Sequence, residues 1–250
     1  MRFWIGIIAM AGVLLAQDGA ALERKNRDNR HLAVILLGPP GAGKGTHAGR
    51  LSHYLGIPHI STGELFRENI RNENPIGKTA KSYIDQGNLV PDAVVLEMLF
   101  ARTALPDCKD GYILDGFPRT VTQAKALDQR ISKTHQLIAL NFNTPDEFLV
   151  DRITGRLACK ECAKIYHKRY DPPKQANICD SCEGALYQRS DDKEDILRQR
   201  LAVYRKESQP LIDFYAAKKN VLRQIDGRNA KEQVFHDVLD ALPQVALLAK

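Results

Sequence analysis

The sequence lacks a hydrophobic run long enough to cross a bilayer. The longest, residues 3–16, falls short of the ~20 apolar residues that a transmembrane helix needs. The chain also lacks an internal repeat of useful length. Neither sign of charge strongly predominates, because the chain has 36 Lys and Arg and 30 Asp and Glu. The resulting net charge of +6 suits anionic small ligands as well as nucleic acid and decides between neither.

What is present is the composition of a globular protein. Hydrophobic residues make up 44% of the 250 residues and charged residues 26%. These proportions exclude a disordered, a collagen-like or a multi-span membrane protein. The length allows one sizeable core with room for an inserted subdomain, rather than a string of domains.

Residues 1–30 are expected to form an N-terminal extension outside the folded unit, which would span residues 31–250. Arg2 precedes the apolar run, small residues follow at 19–21, and a polar stretch leads up to His31. This pattern is typical of a secretory signal peptide and by itself favours export, with an overlong chain start as the alternative. The two interpretations place the protein in different compartments.

Beyond residue 30, short apolar runs alternate with amphipathic helical stretches. Continuous apolar strands between helices indicate an α/β fold, in which helices cover both faces of a parallel sheet. The predicted strands are 32–37, 56–60, 112–114, 137–142 and 221–225. The predicted helices include 43–55, 92–104, 122–131, 146–154 and a long one over 193–218, which Pro210 should bend or break.

A glycine-rich loop follows the first predicted strand and opens the first predicted helix. Glycines let the backbone curl until several N–H groups point at one anion, and the helix N-terminus adds partial positive charge. Lys44 is placed to reach the outer phosphates. The segment therefore predicts a site for the phosphates of a nucleotide, rather than an ordinary turn. Its predicted members are Gly41, Ala42, Gly43, Lys44, Gly45 and Thr46.

Four of the five cysteines form two CxxC pairs, Cys159 with Cys162 and Cys179 with Cys182. Two such pairs can supply the four thiolates of a tetrahedral Zn²⁺ site. Metal binding would supply folding energy to a small insertion that has few apolar residues. Two disulfides are the alternative in an exported chain, and a nucleic-acid-binding zinc ribbon is a second alternative, because the insertion is rich in lysine.

The phosphate loop ends in Gly-Lys-Gly-Thr, and in this it resembles the loop of the adenylate kinases rather than that of GTPases or ATPase motors. Further segments carry the same resemblance in the same order, among them residues 61–67, 86–92, 114–123, 151–156 and 189–200. The chain is thus similar to adenylate kinases of the long-lid bacterial type over residues 32–248. The resemblance implies a P-loop fold with a five-stranded parallel sheet. It divides the unit into a core (31–60, 91–154 and 193–250), a monophosphate-binding subdomain (61–90) and a zinc lid (155–192).

The resemblance also implies the reaction ATP + AMP ⇌ 2 ADP, with Mg²⁺ accompanying ATP and a structural Zn²⁺ in the lid. It assigns Arg67 and Arg119 to the monophosphate, Arg152 and Arg156 to the triphosphate, and Arg189 and Arg200 to the transferring group and to AMP. Arginine suits this work because it is permanently charged and bidentate towards phosphate. Further AMP contacts are implied at Thr62, Asn88, Leu89, Val90, Gly116, Phe117 and Pro118. Further ATP contacts are implied at Ile165, Tyr166 and Asn229.

Two side chains are predicted from their own positions as well. Asp115 ends an apolar strand and should emerge beside the phosphate loop, where its carboxylate would hold Mg²⁺ through water. A helix N-cap is the alternative role for this residue. Gln123 follows Arg119 by one helical turn, so the two should face the same pocket. The amide of Gln123 offers a donor and an acceptor that suit the edge of adenine.

The expected partners are therefore ATP, AMP and ADP, without nucleic acid or membrane, and a monomer is expected. Thiolates paired for metal and a need for ATP favour the cytoplasm, with export as the alternative if residues 1–20 act as a signal peptide. Other nucleoside-monophosphate kinases, a GTP-using phosphotransferase, a zinc-ribbon nucleic-acid binder and a P-loop switch protein remain alternatives at this stage.

Overall fold

The computed structural model describes residues 30–243. The predicted extension, apart from its last residue, lies outside the described residues. Among residues 30–243, none of the helices has the length and apolar character that crossing a membrane requires.

The core of the molecule is a five-stranded sheet. Its strands are β1 (His31–Leu37), β2 (His59–Ser61), β3 (Gly111–Asp115), β4 (His135–Asn143) and β8 (Leu222–Asp226). Every neighbouring pair is parallel, and the order across the sheet is β2-β3-β1-β4-β8. The predicted parallel α/β sheet is confirmed. Only β2 begins clearly later than predicted, because Gly56 adopts a left-handed conformation (φ 68°) that ends the preceding helix.

Helices cover both faces of this sheet. They are α1 (Lys44–Leu55), α2 (Thr62–Arg71), α3 (Pro75–Asp85), α4 (Asp92–Thr103), α5 (Val121–Ile131), α6 (Asp146–Thr154), α7 (Glu194–Val203), α8 (Pro210–Ala216) and α9 (Lys231–Asp240). Successive residues of β1 point to opposite faces. Ala33, Ile35 and Leu37 pack with α4, α5 and α8, whereas Val34 and Leu36 pack with α1, α6, α7 and α9. Both faces of the central strand are therefore buried.

Two smaller units stand beyond the sheet. Helices α2 and α3 pack closely, since a Cβ on Gly77 would lie 2.0 Å from the carbonyl oxygen of Asn69. The second unit is an antiparallel sheet with the order β6-β5-β7, formed by β5 (Arg156–Cys159), β6 (Ile165–His167) and β7 (Leu186–Tyr187). These units occupy the segments predicted as the monophosphate-binding subdomain and the lid.

The predicted long helix over 193–218 is divided, as Pro210 indicated, but the change begins earlier. Helix α7 ends at Val203, and a wider π-helical turn follows over Tyr204–Ser208 before α8 starts at Pro210. Proline lacks an N–H and its ring clashes with the carbonyl four residues earlier, so the turn before it must widen. The widened turn places the Ser208 hydroxyl 2.9 Å from the carbonyl oxygen of Arg119, to which it donates.

Candidate active site

A cleft of about 1410 Å³ lies at the carboxyl edge of the large sheet, with the α2–α3 unit and the small sheet along its sides. Most of the predicted site residues line it: Gly41, Ala42, Gly43, Lys44, Gly45, Thr46, Thr62, Arg67, Asn88, Leu89, Val90, Asp115, Gly116, Arg119, Gln123, Arg152, Arg156, Ile165, Tyr166, Arg189, Arg200 and Asn229. Loops from different strands meet at this edge because all five strands run in the same direction.

Phe117 and Pro118 are absent from the lining of the cleft, unlike the other predicted AMP contacts, and their contact with AMP stays a prediction. Phe117 is fully buried and packs in the hydrophobic core beneath the site. The backbone on either side of the pair remains at the cleft, through Gly116 and Arg119. Gly116 has a positive φ of 79°, and a Cβ there would lie 2.8 Å from the Thr62 hydroxyl oxygen. This turn therefore needs glycine to bring β3 and α2 together.

The phosphate loop curls between β1 and α1, as predicted. Gly41 and Gly43 have φ values of 85° and 93°, which L side chains rarely adopt. Helix α1 begins at Lys44, so its unpaired N–H groups face into the cleft. Gly45 matters for a different reason, because a Cβ there would lie 3.2 Å from Asp115 Oδ2, a tight contact. The glycine between Lys44 and Thr46 thus leaves room for a carboxylate.

The side chain of Lys44 bridges two backbone positions of the phosphate loop. Its Nζ donates to the carbonyl oxygens of Gly38 at 2.7 Å and Pro39 at 2.8 Å. Burial lowers the pKa of Lys44 to about 8, and the nearby Arg119 and Arg200 contribute to this, although Asp115 opposes them. An ammonium held in this way gains stability when a polyanion enters the cleft.

Asp115 ends β3 at the floor of the cleft, as predicted. Its Oδ2 lies 3.6 Å from His59 Nε2. Burial alone would raise the pKa of Asp115, but His59, Lys44 and Arg119 outweigh that effect and lower the pKa to about 2. The alternative role as an N-cap is wrong, because α5 starts only at Val121 and Thr120 caps it. A buried, ionised carboxylate beside the phosphate loop fits a water-bound Mg²⁺.

Five of the arginines that line the cleft come from separate segments and form a cluster, and carboxylates hold four of them. Glu64 Oε1 accepts from Arg67 Nη2 at 2.7 Å and also pairs with Arg189. The Arg189 Nε is buried and has no hydrogen-bond partner among residues 30–243. Glu64 lies between two arginines, and their charges overcome the effect of burial and hold its pKa below the usual value.

Two consecutive carboxylates, Asp191 and Asp192, hold the other pair. Arg156 forms a bidentate pair with the fully buried Asp192. Arg200 Nη1 lies 2.9 Å from Asp191 Oδ2 and 3.5 Å from Asp192 Oδ1. The guanidiniums are therefore already positioned before any phosphate is present.

Arg119 is the fifth arginine. Its Nε donates to the carbonyl oxygen of Gly116 at 2.9 Å. Burial and the neighbouring Arg200 lower its pKa to about 10. Together with Lys44 and the neighbouring carboxylates, these five arginines form a cluster with an excess of two positive charges. Its cations are Lys44, Arg67, Arg119, Arg156, Arg189 and Arg200, and its carboxylates are Glu64, Asp115, Asp191 and Asp192. This charge excess favours phosphate groups.

Gln123 and Arg119 do line the same cleft, but not for the predicted reason. Arg119 lies before α5, so the two residues do not share a helix face. Gln123 Oε1 instead accepts from the backbone N–H of Arg119 at 2.7 Å, and Gln123 Nε2 donates to Asp92 Oδ1 at 2.7 Å. The amide is thus held by partners from two other segments.

The predicted contacts for the second nucleotide are scattered along the opposite side. The Tyr166 side chain is buried in the small sheet, and its hydroxyl lies 3.4 Å from Cys179 Sγ, so only its backbone can face a ligand. Arg152 stands over the Phe148 ring at 5.8 Å, and Asn229 lies in the turn before α9. His47 was not predicted from the sequence, and its ring stacks between Phe142 and Phe235 at this end of the cleft.

The sulfurs of Cys159, Cys162, Cys179 and Cys182 all lie within 4.8 Å of one another. The Cys159–Cys182 and Cys162–Cys179 sulfur separations are 3.5 and 3.6 Å. Sulfurs bound to one zinc at ~2.3 Å would lie about 3.8 Å apart, so the cluster has the dimensions of a tetrahedral zinc site. All four cysteines are free thiols in the described part of the chain. The cluster is compatible with zinc.

Four side chains around the cleft have partners that sequence reasoning did not predict. Glu64 pairs with Arg189 and His59 with Asp115, whereas Asp92 accepts from both Gln123 and Thr120. In the sequence, a carboxylate that pairs with an arginine looks the same as a carboxylate on a solvated helix face. Only the folded structure distinguishes the two cases.

Comparison with known proteins adds independent findings. The model of the adenylate kinase family matches residues 36–220. The chain is 51% identical to the adenylate kinase of Caldicellulosiruptor bescii over 213 residues, which are 84% of this chain and 99% of that protein. It is 45% identical to the adenylate kinase of Carboxydothermus hydrogenoformans, with the same coverage. It is 47% identical to that of Archaeoglobus fulgidus over 85% of this chain and 98% of the other.

Proposed function

We propose a division of the cleft between two nucleotides, on the premise that the chain belongs to the adenylate kinase family and catalyses ATP + AMP ⇌ 2 ADP. The observation that carries the division is the arrangement of cations. Strand β3, which ends at Asp115, lies between β1, which leads into the phosphate loop with Lys44, and β2, which leads into α2 with Arg67. Two polyanions can therefore meet in line above the sheet edge.

The acceptor, AMP, is proposed to bind between α2 and the turn after β3. Arg67 and Arg119 would bind its phosphate, because both guanidiniums line this side of the cleft and are held by neighbouring oxygens. Thr62, whose hydroxyl donates to the Gly116 carbonyl oxygen at 2.9 Å, would border the base pocket. The remaining contacts would come from Gln123 and from the backbone of Asn88, Leu89, Val90 and Gly116.

The donor, ATP, is proposed to bind with its phosphates in the loop formed by Gly41, Ala42, Gly43, Lys44, Gly45 and Thr46. Arg152 and Arg156 would contact the triphosphate from α6 and β5. The backbone of Ile165, Tyr166 and Asn229 would border its base. Kinases of this family use Mg²⁺ with ATP. Asp115 would hold that ion through water, and the ion would neutralise phosphate charge.

The chemistry then needs no general base, because the acceptor phosphate is already an anion. The protein has to orient the two nucleotides and neutralise the charge on the transferring group. Arg189 and Arg200 are proposed to contact that group, since both are buried between the two sides. Their carboxylate partners keep them oriented, so little reorganisation is needed when the phosphates arrive.

A panel of initial rates tests this function. ATP and GTP would each be supplied as donor with AMP, GMP, CMP or UMP as acceptor, in the presence of Mg²⁺. We expect ATP with AMP to give the highest rate and the formation of ADP to require both substrates. Faster turnover with another monophosphate would identify a different nucleoside-monophosphate kinase. Hydrolysis of GTP without an acceptor would identify a switch protein.

The four-cysteine cluster is proposed to bind one structural Zn²⁺ in the lid. The basic residues around it favour a lid over the donor rather than a nucleic-acid-binding ribbon. Arg169 is paired with Asp151 of α6 at 2.6 Å, and Lys164 donates to Ser181 at 2.7 Å. The first contact ties the lid to the core, the second lies within the lid, and both use basic groups that a nucleic acid would otherwise bind.

We also propose that residues 31–250 form the catalytic unit, with the core, monophosphate-binding and lid segments bounded as predicted above, and that it acts as a monomer in the cytoplasm without nucleic acid or membrane. The metal-site spacing of the thiols and the need for ATP support a reducing, ATP-rich compartment. Export remains the alternative if residues 1–20 act as a signal peptide.

Replacing Gln123 with leucine should weaken AMP binding selectively. The substitution leaves the polar edge of adenine unpaired in the pocket, which costs about 1–3 kcal/mol, so the KM for AMP should rise by one to two orders of magnitude. The KM for ATP should change little, and steady-state kinetics with each substrate varied in turn measures both. Equal losses for AMP and ATP would point to a structural role for Gln123 instead.

A further inference from the structure

The side-chain amide of Gln123 has one allowed orientation. Its oxygen faces the backbone N–H of Arg119, and its nitrogen faces a carboxylate oxygen of Asp92, each at 2.7 Å. A backbone N–H can only donate and a carboxylate can only accept. Rotating the amide by 180° would set two donors against each other at one end and two acceptors at the other. Asp92 and Arg119 therefore lock the amide.

Asp92 is itself held in place. It is the first residue of α4, and its second carboxylate oxygen accepts from the Thr120 hydroxyl at 2.9 Å. Thr120 caps α5 by accepting from the backbone N–H of Gln123 at 3.1 Å. Asp92, Thr120 and Gln123 thus form a closed network that joins the start of α4 to the start of α5. Gln123 is almost fully buried (1% exposed), so its amide has little freedom outside this network.

The locked amide still has capacity for a ligand. A glutamine nitrogen carries two donors and its oxygen has two lone pairs, and the network uses one of each. One N–H and one lone pair remain, and the lock fixes which position offers the donor and which offers the acceptor. Adenine presents an acceptor at N1 and a donor at N6, whereas hypoxanthine and guanine present a donor at N1 and an acceptor at O6. A freely rotating amide would serve both kinds of edge, and a locked one serves a single kind.

We propose that Asp92 is a positioning residue that makes the acceptor site selective for adenine by locking the amide of Gln123. This rests on the proposed placement of AMP beside Gln123. Asp92 does not touch the base. The 6-oxo purines need the amide of Gln123 in the flipped orientation, and Asp92 makes that orientation unfavourable.

IMP is the sharpest probe, because it differs from AMP only at positions 1 and 6 of the base. The measured quantity is the ratio of kcat/KM for IMP to kcat/KM for AMP, with ATP as donor. Asp92→Asn retains the size of the side chain but lets an amide face Gln123 with either its oxygen or its nitrogen. We expect the ratio to rise at least roughly tenfold in this variant, the factor set by one mispaired buried group. The KM for ATP should stay within about twofold.

Asp128→Asn is the matched control. Asp128 lies in α5 and pairs with Lys218, outside the cleft, so the same chemical change there should leave the ratio unaltered. A ratio in Asp92→Asn within about twofold of the wild-type value would overturn the lock. So would an equal rise in the control, because general loosening of α5 would then explain the effect.

Two further measurements separate the possible failures. If Asp92→Asn does not fold, Thr120→Val removes the hydroxyl that orients Asp92, and the ratio must then rise at least about threefold. If the wild-type chain phosphorylates AMP but neither variant changes the IMP-to-AMP ratio, the lock alone is refuted. A wild-type chain that does not phosphorylate AMP refutes the proposed function and the lock together.

Discussion

Arg200→Ala is expected to lower kcat/KM by roughly 10³-fold or more, as is typical of arginines that neutralise a transferring phosphoryl group. Arg200 is buried between Asp191 and Asp192 and lies next to Lys44 and Arg119. Lys44→Ala and Arg119→Ala should produce losses of the same order. Arg119→Ala should also raise the KM for AMP, because Arg119 is placed on the acceptor side. Steady-state kinetics over both substrates gives these values.

Two variants separate catalysis from folding in this experiment. Arg198→Ala changes an exposed arginine two residues earlier in α7, which pairs only with Glu194 among the described residues, and should have little effect. Arg200→Lys retains the charge but loses the bidentate geometry, and should recover only part of the rate. Nearly full activity in a folded Arg200→Ala variant would show that its catalytic assignment is wrong. Thermal melting of each variant establishes that it is folded.

One zinc per chain is the second expected result, and its removal should unfold the lid while the parallel sheet survives. A site with four thiolates is saturated, so the metal acts on structure and not on substrate. Few apolar side chains support the lid: besides Cys159 and Cys179, its buried cluster contains only Tyr166 and Leu186 among the described residues. Metal binding therefore supplies much of its folding energy. Activity should fall in parallel, through donor binding and kcat, because Arg156 and Arg189 flank the lid.

Metal analysis with a thiol count, followed by melting of wild type and Cys179→Ala with and without chelator, measures these effects. The variant should melt at a lower temperature and lose its sensitivity to chelator. Hydrogen exchange should show loss of protection over β5–β7 and retained protection in β1. Cys108→Ala, which alters a buried thiol outside the cluster, is the control and should keep one zinc. Two stoichiometric disulfides without metal would refute the site and indicate an oxidising compartment.

The parts of the site that the sequence predicted well are those built from neighbouring residues. The phosphate loop needs glycines at defined positions because positive φ values at Gly41 and Gly43 are a local backbone property. Each CxxC pair likewise brings two thiols together within one turn. The strands were predicted to within a few residues because continuous apolar runs such as Ala33–Leu37 can be buried only inside a covered sheet.

The sequence left the direction of a side chain open where that side chain had a choice of surroundings. Phe117 adjoins a glycine of the site, yet its ring lies in the core. Tyr166 borders the cleft by its backbone but directs its hydroxyl to Cys179. Gln123 faces the predicted pocket, but its orientation depends on Asp92, 31 residues earlier in the chain. Adjacency along the chain specifies the backbone path and leaves such directions open.

The sequence by itself determined the fold class, the phosphate loop and the cysteine pairs, because periodicity and short motifs follow from local geometry, and the set of arginines came from the resemblance to a family. The tertiary structure alone decided which carboxylate holds which arginine and which way the amide of Gln123 points. Glu64 and Arg189 are 125 residues apart, and nothing near either residue specifies the other. Such pairs form only after the parallel sheet has brought separate loops to one edge, where burial makes an unpaired charge costly and so selects a partner.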